Sequence, residues 1–206
     1  MMKLYAGLAV AAIAAAVGGT LAYTMLRAPD DQFAQCRSSA VAGGTGDIGG
    51  PFTLVNSEGQ SVTDADIITG PTLIYFGYTF CPDVCPFDVA RNALAVDILE
   101  EMGIPVTPVF ISIDPERDTP EAVGNFAANM HPNMIGLTGT DEQVKAASQA
   151  FKTYYRKQDG DDEFYLVDHS TFTYLMLPGV GFAEFYRRDA SPEEMAESIA
   201  CFVTAS

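Results

Sequence analysis

Tryptophan is absent from this chain, and only two histidines and four cysteines are present. Cations are scarce as well: 11 Lys and Arg stand against 27 Asp and Glu, a formal net charge of −16. That deficit excludes recognition of nucleic acid by phosphate neutralisation and makes anionic lipid headgroups poor partners. Four cysteines are too few for a disulfide scaffold, so disulfide, metal or redox roles must be read from their spacing. Imidazole chemistry is confined to His131 and His169. The composition of a disordered chain is also missing, since 48% of residues are hydrophobic and 18% charged, and 206 residues give a soft prior of one domain.

One long apolar run is present. Leu4 to Leu26, LYAGLAVAAIAAAVGGTLAYTML, is 23 residues without a charge between Lys3 and Arg27. At about 1.5 Å per residue it makes roughly 34 Å of helix, enough to cross a bilayer core. Residues 1–27 therefore read as a single transmembrane anchor. A cleaved signal peptide with an h-region at Leu8 to Val17 is the rival, and the excess length of the run favours the anchor. Either reading sends the rest of the chain out of the cytoplasm. An Arg- and Ser-rich transit pattern is lacking, which points to bacterial export: a single pass of the inner membrane with the domain in the periplasm. Residues 28–46 are small, polar and Gly-rich and read as a flexible tether. Residues 47–206 remain as one domain of ordinary size.

Within that domain the pattern predicts a hairpin, Phe52 to Val55 with Ser61 to Thr63, across Asn56-Ser57-Glu58-Gly59. Thr72 to Tyr78 and Val106 to Ile113 are short apolar runs of the kind central parallel strands show. A helix over Asp83 to Met102 lies between them. Thr119-Pro120 opens another, and Thr140 with Gln143 forms a capping box for a third. Phe164 to Val167 and Thr171 to Leu177 read as strands. Phe182 to Tyr186 pairs back across Pro178-Gly179, and Ser191-Pro192-Glu193-Glu194 starts the last helix. Strands alternating with helices and ending in a hairpin plus helix indicate an α/β sheet covered on both faces, in a thioredoxin-like order with an N-terminal β-hairpin extension.

The chemistry concentrates in Cys81-Pro82-Asp83-Val84-Cys85-Pro86, where a central strand ends and a helix begins. The crevice beyond strand carboxyl ends is the usual ligand site of such sheets. A spacing of four puts both sulfurs on one side of the first turn, close enough to chelate one ion or to form a disulfide. The positive end of the helix stabilises thiolate, which is both the nucleophile of disulfide exchange and a soft ligand for Cu(I). A structural disulfide or inert core thiols is the plainer alternative. His169, 84 residues after Cys85, lies between two expected strands. Spacing alone reads it as an ordinary loop histidine.

TLIYFGYTFCPDVCP at Thr72 to Pro86, FISIDPERDTPE at Phe110 to Glu121, GLTGTDEQV at Gly136 to Val144 and YLVDHSTFTYLM at Tyr165 to Met176 together resemble the Sco/SenC family. The resemblance spans about Gly49 to Phe202, with the anchor in addition. It implies a thioredoxin fold and one copper, Cu(I) or Cu(II), held by Cys81, Cys85 and His169. It also implies delivery of that copper to the binuclear centre of cytochrome c oxidase subunit II, or reduction of the centre's cysteines by the redox-active pair Cys81 and Cys85. Another periplasmic copper chaperone or a thioredoxin-like reductase would be a further partner, and a redox or copper sensor is a third reading. Phe87-Asp88 and Pro178-Gly179-Val180-Gly181 depart from the family pattern without touching a ligand. Two thiolates and an imidazole suit Cu(I), whereas structural zinc wants four ligands. Asp168 is the candidate to orient the imidazole, with an ordinary turn Asp as the alternative.

Asp114-Pro115-Glu116-Arg117-Asp118-Thr119-Pro120 should sit beside the cysteine loop, either as a turn with Asp118 or Thr119 as helix cap or in a docking or site-shaping role. His131, after a helix end, reads as a dipole partner rather than a ligand, and no spacing gives Met130 or Met134 a copper role. Cys36 in the tether and Cys201 in the last helix can pair in an oxidising compartment; free thiols or an intermolecular link are the alternatives.

Overall fold

The computed structural model describes residues 13–20, 23, 32–37, 48–160 and 164–206. The chain divides into two units, residues 1–34 and 35–206. In the first, residues 13–20 are helical. Most of the expected anchor and of the expected tether lies outside the described residues. Among the described residues, no helix is long and apolar enough to cross a membrane.

The second unit is built on a seven-stranded sheet. Its elements are β1 (Thr53–Asn56), β2 (Ser61–Thr63), α1 (Asp64–Ile67), β3 (Thr72–Gly77), α2 (Val84–Glu101), β4 (Thr107–Ser112) and α3 (Pro120–Met130). They continue with β5 (Ile135–Thr138), α4 (Asp141–Ala150), β6 (Tyr155–Lys157), β7 (Val167–His169), β8 (Thr173–Leu177), β9 (Gly181–Tyr186) and α5 (Pro192–Ala205). The strand order is β2-β1-β5-β4-β3-β8-β9, with β3, β4 and β5 mutually parallel and the outer strands antiparallel. This is a mixed α/β, thioredoxin-like sheet with the β1–β2 hairpin added at one edge.

Every residue of β3 is buried, as the apolar run predicts for a strand covered on both faces. On one face Tyr75 bonds Asp88 of α2, Thr173 bonds Asn92 of α2, and Phe110 packs on Phe126 of α3. On the other, Phe76 meets Phe151 and Tyr174, with ring centroids 5.3 and 6.2 Å apart. Aromatic burial of this kind supplies much of the core's cohesion. Thr119, Thr140 and Ser191 each cap a helix as the sequence predicts, their hydroxyls accepting from the backbone N–H of Ala122, Gln143 and Glu194.

Five elements depart from the sequence reading. α1 and β5 were not expected, because a four-residue element carries too little pattern to register. β6 is also new, and it draws its partner strand to Val167–His169 instead of Phe164 to Val167. The strand expected over Thr171 to Leu177 begins at Thr173. β6 and β7 form their own two-stranded sheet, apart from the main one.

Candidate metal centre

α2 begins without a side-chain cap, since Asp83 makes no capping bond. Its first N–H groups are therefore available to the sulfur before them, and Cys85 N donates to Cys81 Sγ at 3.4 Å. The spacing of four thus brings the two thiols onto one side of the first turn. Cys81 is 8% exposed and Cys85 fully buried. Gly77, at the end of β3, makes room for them: a Cβ there would lie 3.0 Å from Cys85 Sγ and 2.9 Å from ring atoms of Phe110 and Tyr75.

β7 brings the third group. His169 Nε2 lies 3.3 Å from Cys85 Sγ, and one ligand atom each from Cys81, Cys85 and His169 falls within 4.8 Å of the others. The imidazole is wedged edge-on between Tyr75 and Tyr78, at centroid distances of 6.3 and 5.9 Å. Its Nδ1 is 2.8 Å from the carbonyl of Ser170. A carbonyl only accepts, so this bond puts the ring proton on Nδ1 and leaves the Nε2 lone pair facing the sulfurs.

Asp168 does not orient the imidazole. Successive side chains of a strand point to opposite faces, so the residue before His169 turns away from it. Its carboxylate instead accepts from Gln158 Nε2 at 2.6 Å and pairs with Arg156 at 3.4 Å. The backbone of Ser170 takes the role assigned to it from sequence.

The two thiols are electrostatically unequal. Hydrogen bonding from Cys85 above all, helped by the N–H groups of Asp83 and Cys85, pulls Cys81 down to about 3 against the opposing effect of burial. The hydrogen bond with Cys81, followed by burial, pushes Cys85 up. The pair therefore holds one proton, on Cys85. The Tyr75 hydroxyl also reaches Cys85 and donates to Asp88 Oδ2 at 3.0 Å, while Arg188 Nε donates to Asp88 Oδ1 at 3.3 Å. Phe87 beside it is 69% exposed.

The Asp114–Pro120 segment does more than cap a helix. Thr119 is the cap; Asp118 is fully buried and accepts from Thr79 N (2.9 Å), Thr79 Oγ1 (2.5 Å) and Ser112 Oγ (2.6 Å). It braces the loop that enters Cys81, and burial raises its carboxyl in spite of those donors. His131 sits at the end of α3, where its Nδ1 accepts from Asn133 N at 3.1 Å and its Nε2 faces Asp97 at 3.3 Å. That leaves the ring proton on Nε2, so the cluster with Asp97 and Glu100 ties α3 to α2 and is not poised for a metal. Cys36 and Cys201 are joined in a disulfide with Cα atoms 5.7 Å apart. Sequence reasoning missed Tyr75, Tyr78 and Tyr165. The available signal was a hydroxyl-bearing aromatic inside an otherwise apolar run.

The chain matches the SCO1/SenC family over residues 41–204, and it belongs to that family. It is 52% identical over 197 residues to Protein SenC of Rhodobacter capsulatus, which covers 96% of this chain and 89% of that one. Its structure resembles that of Arabidopsis thaliana ScoI with copper bound, at TM-score 0.73 and 40% identity over 76% of this chain and 99% of that one. BsSco, described as a member of the Sco family of cytochrome c oxidase assembly proteins with a disulfide switch, is similar at TM-score 0.59 and 26% identity, over 76% of this chain and 91% of that one.

Proposed function

We propose that this SCO1/SenC protein is a copper carrier, with one copper ion as cargo on Cys81 Sγ, Cys85 Sγ and His169 Nε2. Anchored by its N-terminal segment and facing the periplasm, it delivers that ion to the binuclear copper centre of cytochrome c oxidase subunit II during assembly. The observation that carries the reading is the convergence of two sulfurs and one imidazole nitrogen within 4.8 Å. The donor set fits copper: two soft sulfurs, one of them already a thiolate, and a nitrogen whose lone pair is directed by Ser170. The copper-bound plant relative and the oxidase-assembly description of BsSco support it.

Each residue has a part in loading and release. Cys81 offers a ready thiolate, Cys85 loses its proton when the ion enters, and His169 completes the set without a change of tautomer. Oxidation of Cys81 and Cys85 to a disulfide removes two of the three donors, so loading depends on redox state. Because Cys81 is 8% exposed and Cys85 is fully buried, the acceptor's sulfurs meet the copper from the Cys81 side. Phe80 and Phe164, 56% and 80% exposed, line an open pocket together with Pro82, the residue after Cys81. Titration of the reduced protein with copper tests the reading: one equivalent should bind, and Cys81→Ala, Cys85→Ala or His169→Ala should each weaken binding sharply. Full affinity without His169 refutes the three-donor site.

One observation favours a second reading. A Cys81 thiolate beside a protonated, buried Cys85 is the arrangement of an attacking and a resolving thiol, suited to reducing the cysteines of the oxidase's copper site. Such a reductase needs both cysteines but not His169. Retention of oxidase assembly by His169→Ala cells selects it, whereas rescue of a null strain by added copper selects the carrier.

A further inference from the structure

The strand that carries His169 is not hydrogen-bonded into the main sheet; it pairs with β6 in a sheet of its own. Side chains must therefore hold the imidazole over the cysteine loop, and they converge on Arg117. Its Nε and Nη2 both reach Asp114 Oδ2 at 2.6 Å, and Nη1 donates to the carbonyl of Tyr165 at 3.1 Å. The guanidinium lies 3.6 Å from the Tyr165 ring centroid and 4.8 Å from that of Phe80, the residue immediately before Cys81. Tyr165 closes the knot: its hydroxyl donates to Asp114 Oδ1 at 2.5 Å, and Lys157 Nζ of β6 lies 3.8 Å from its ring centroid while pairing with Glu116 at 2.7 Å. Two residues on, Val167 N donates to the Tyr78 hydroxyl at 3.3 Å.

We propose that Arg117 is a positioning residue for the metal centre, clamping the histidine hairpin through Tyr165 and the cysteine loop through Phe80 so that His169 stays within reach of Cys85. The proposal rests on the copper-site reading above. A planar guanidinium suits this place because it bonds Asp114 and the Tyr165 carbonyl at its edge while its face stacks on two rings, which an ammonium does not do. Arg117 touches none of the three donor atoms; it acts on the relative placement of the two segments that bear them. Supporting residues of this kind commonly change metal affinity by about 10- to 100-fold.

The test uses the full chain in detergent, as wild type, Arg117→Ala, His169→Ala and the double variant, with Cu(I) titrated against a competing chelator. Arg117→Ala should weaken Cu(I) binding by about tenfold or more, and the double variant should bind within about twofold of His169→Ala alone, because both changes remove the same contact. Penalties that multiply in the double variant overturn the proposal. A second measurement needs no copper: amide hydrogen exchange of the metal-free protein. Val167 should exchange at least about tenfold faster in Arg117→Ala, while the α2 amides of Val96 and Leu99 keep their protection. Unchanged exchange at Val167 overturns the clamp. If His169→Ala binds copper as the wild type does, the three-donor reading fails, and the exchange measurement still decides the role of Arg117. Arg117→Lys keeps the charge over the rings but not both edge bonds; it should fall between wild type and Arg117→Ala in each measurement, and it carries the same test where the alanine variant does not fold.

Discussion

The molecule uses its four cysteines in two pairs, and the pairs differ in everything except the element. Cys36 and Cys201 are separated by 165 residues and joined as a disulfide. Cys81 and Cys85 are separated by four, lie at the uncapped start of α2 and are free thiols. The first pair has the last helix as its setting. The second has a helix N-terminus, a directed imidazole and a hydroxyl-bearing ring around it. The lesson is that surroundings, not the sulfur, separate a staple from a reactive site: the same residue is a cross-link where it closes a long loop and a free thiol where charge and lone pairs converge.

The sharpest way to break this contrast is to exchange the consequences of losing each pair. Replacing Cys85 or His169 by alanine should weaken copper binding by about 100-fold or more, whereas Cys201→Ala should leave the affinity within about threefold of wild type, measured by chelator competition. Stability should show the reverse. Loss of the Cys36–Cys201 bond, which closes a loop of 165 residues, should cost about 2–5 kcal/mol in denaturant unfolding under oxidising conditions. Cys81→Ala should cost less, since it removes one sulfur from the core and opens no cross-link.

A smaller effect should follow from Gly77→Ala. The added methyl would press on Cys85 Sγ, Phe110 and Tyr75, which should destabilise the fold by about 1–3 kcal/mol and weaken copper binding, while the Cys36–Cys201 bond forms as before. The least change of all is expected in a pH series. Because Cys81 is held down to about 3, its thiolate fraction is nearly constant at any pH well above that value. Iodoacetamide should therefore modify Cys81 in preference to Cys85, at a rate that is flat from about pH 8 to pH 5 and falls only as pH approaches 3. A rate that drops steadily as pH is lowered from about 9 to 7 would mean that Cys81 is an ordinary thiol and that the contrast between the pairs is geometric only.

Much of the architecture could be read from local chemistry. The three side-chain helix caps, the buried strands β3 and β4 and the cysteine turn all announce themselves within a few residues, because capping, apolar runs and helical spacing are short-range. The proposed donor set was legible only in part: Cys81 and Cys85 declare their proximity, but His169 does not, since its position depends on β7 joining β6 rather than the main sheet. The resemblance to a family supplied it. Asp168 was misassigned because it was read as part of a loop between two strands, where alternation does not act, whereas the strand runs over Val167–His169 and turns its side chain away from the imidazole. Arg117 lay in a segment already suspected of shaping the site, yet its partners, Tyr165 and Phe80, are 48 and 37 residues away in opposite directions along the chain, and no periodicity links them.

Copper titration of the reduced full-length protein, with the Cys36–Cys201 bond intact and absorption and EPR as readouts, tests the central claim most directly. One equivalent should bind, with the signature of thiolate and imidazole coordination, lost on oxidation of Cys81 with Cys85 and degraded by His169→Ala. Binding that ignores His169, or that survives formation of the Cys81–Cys85 disulfide, would contradict it.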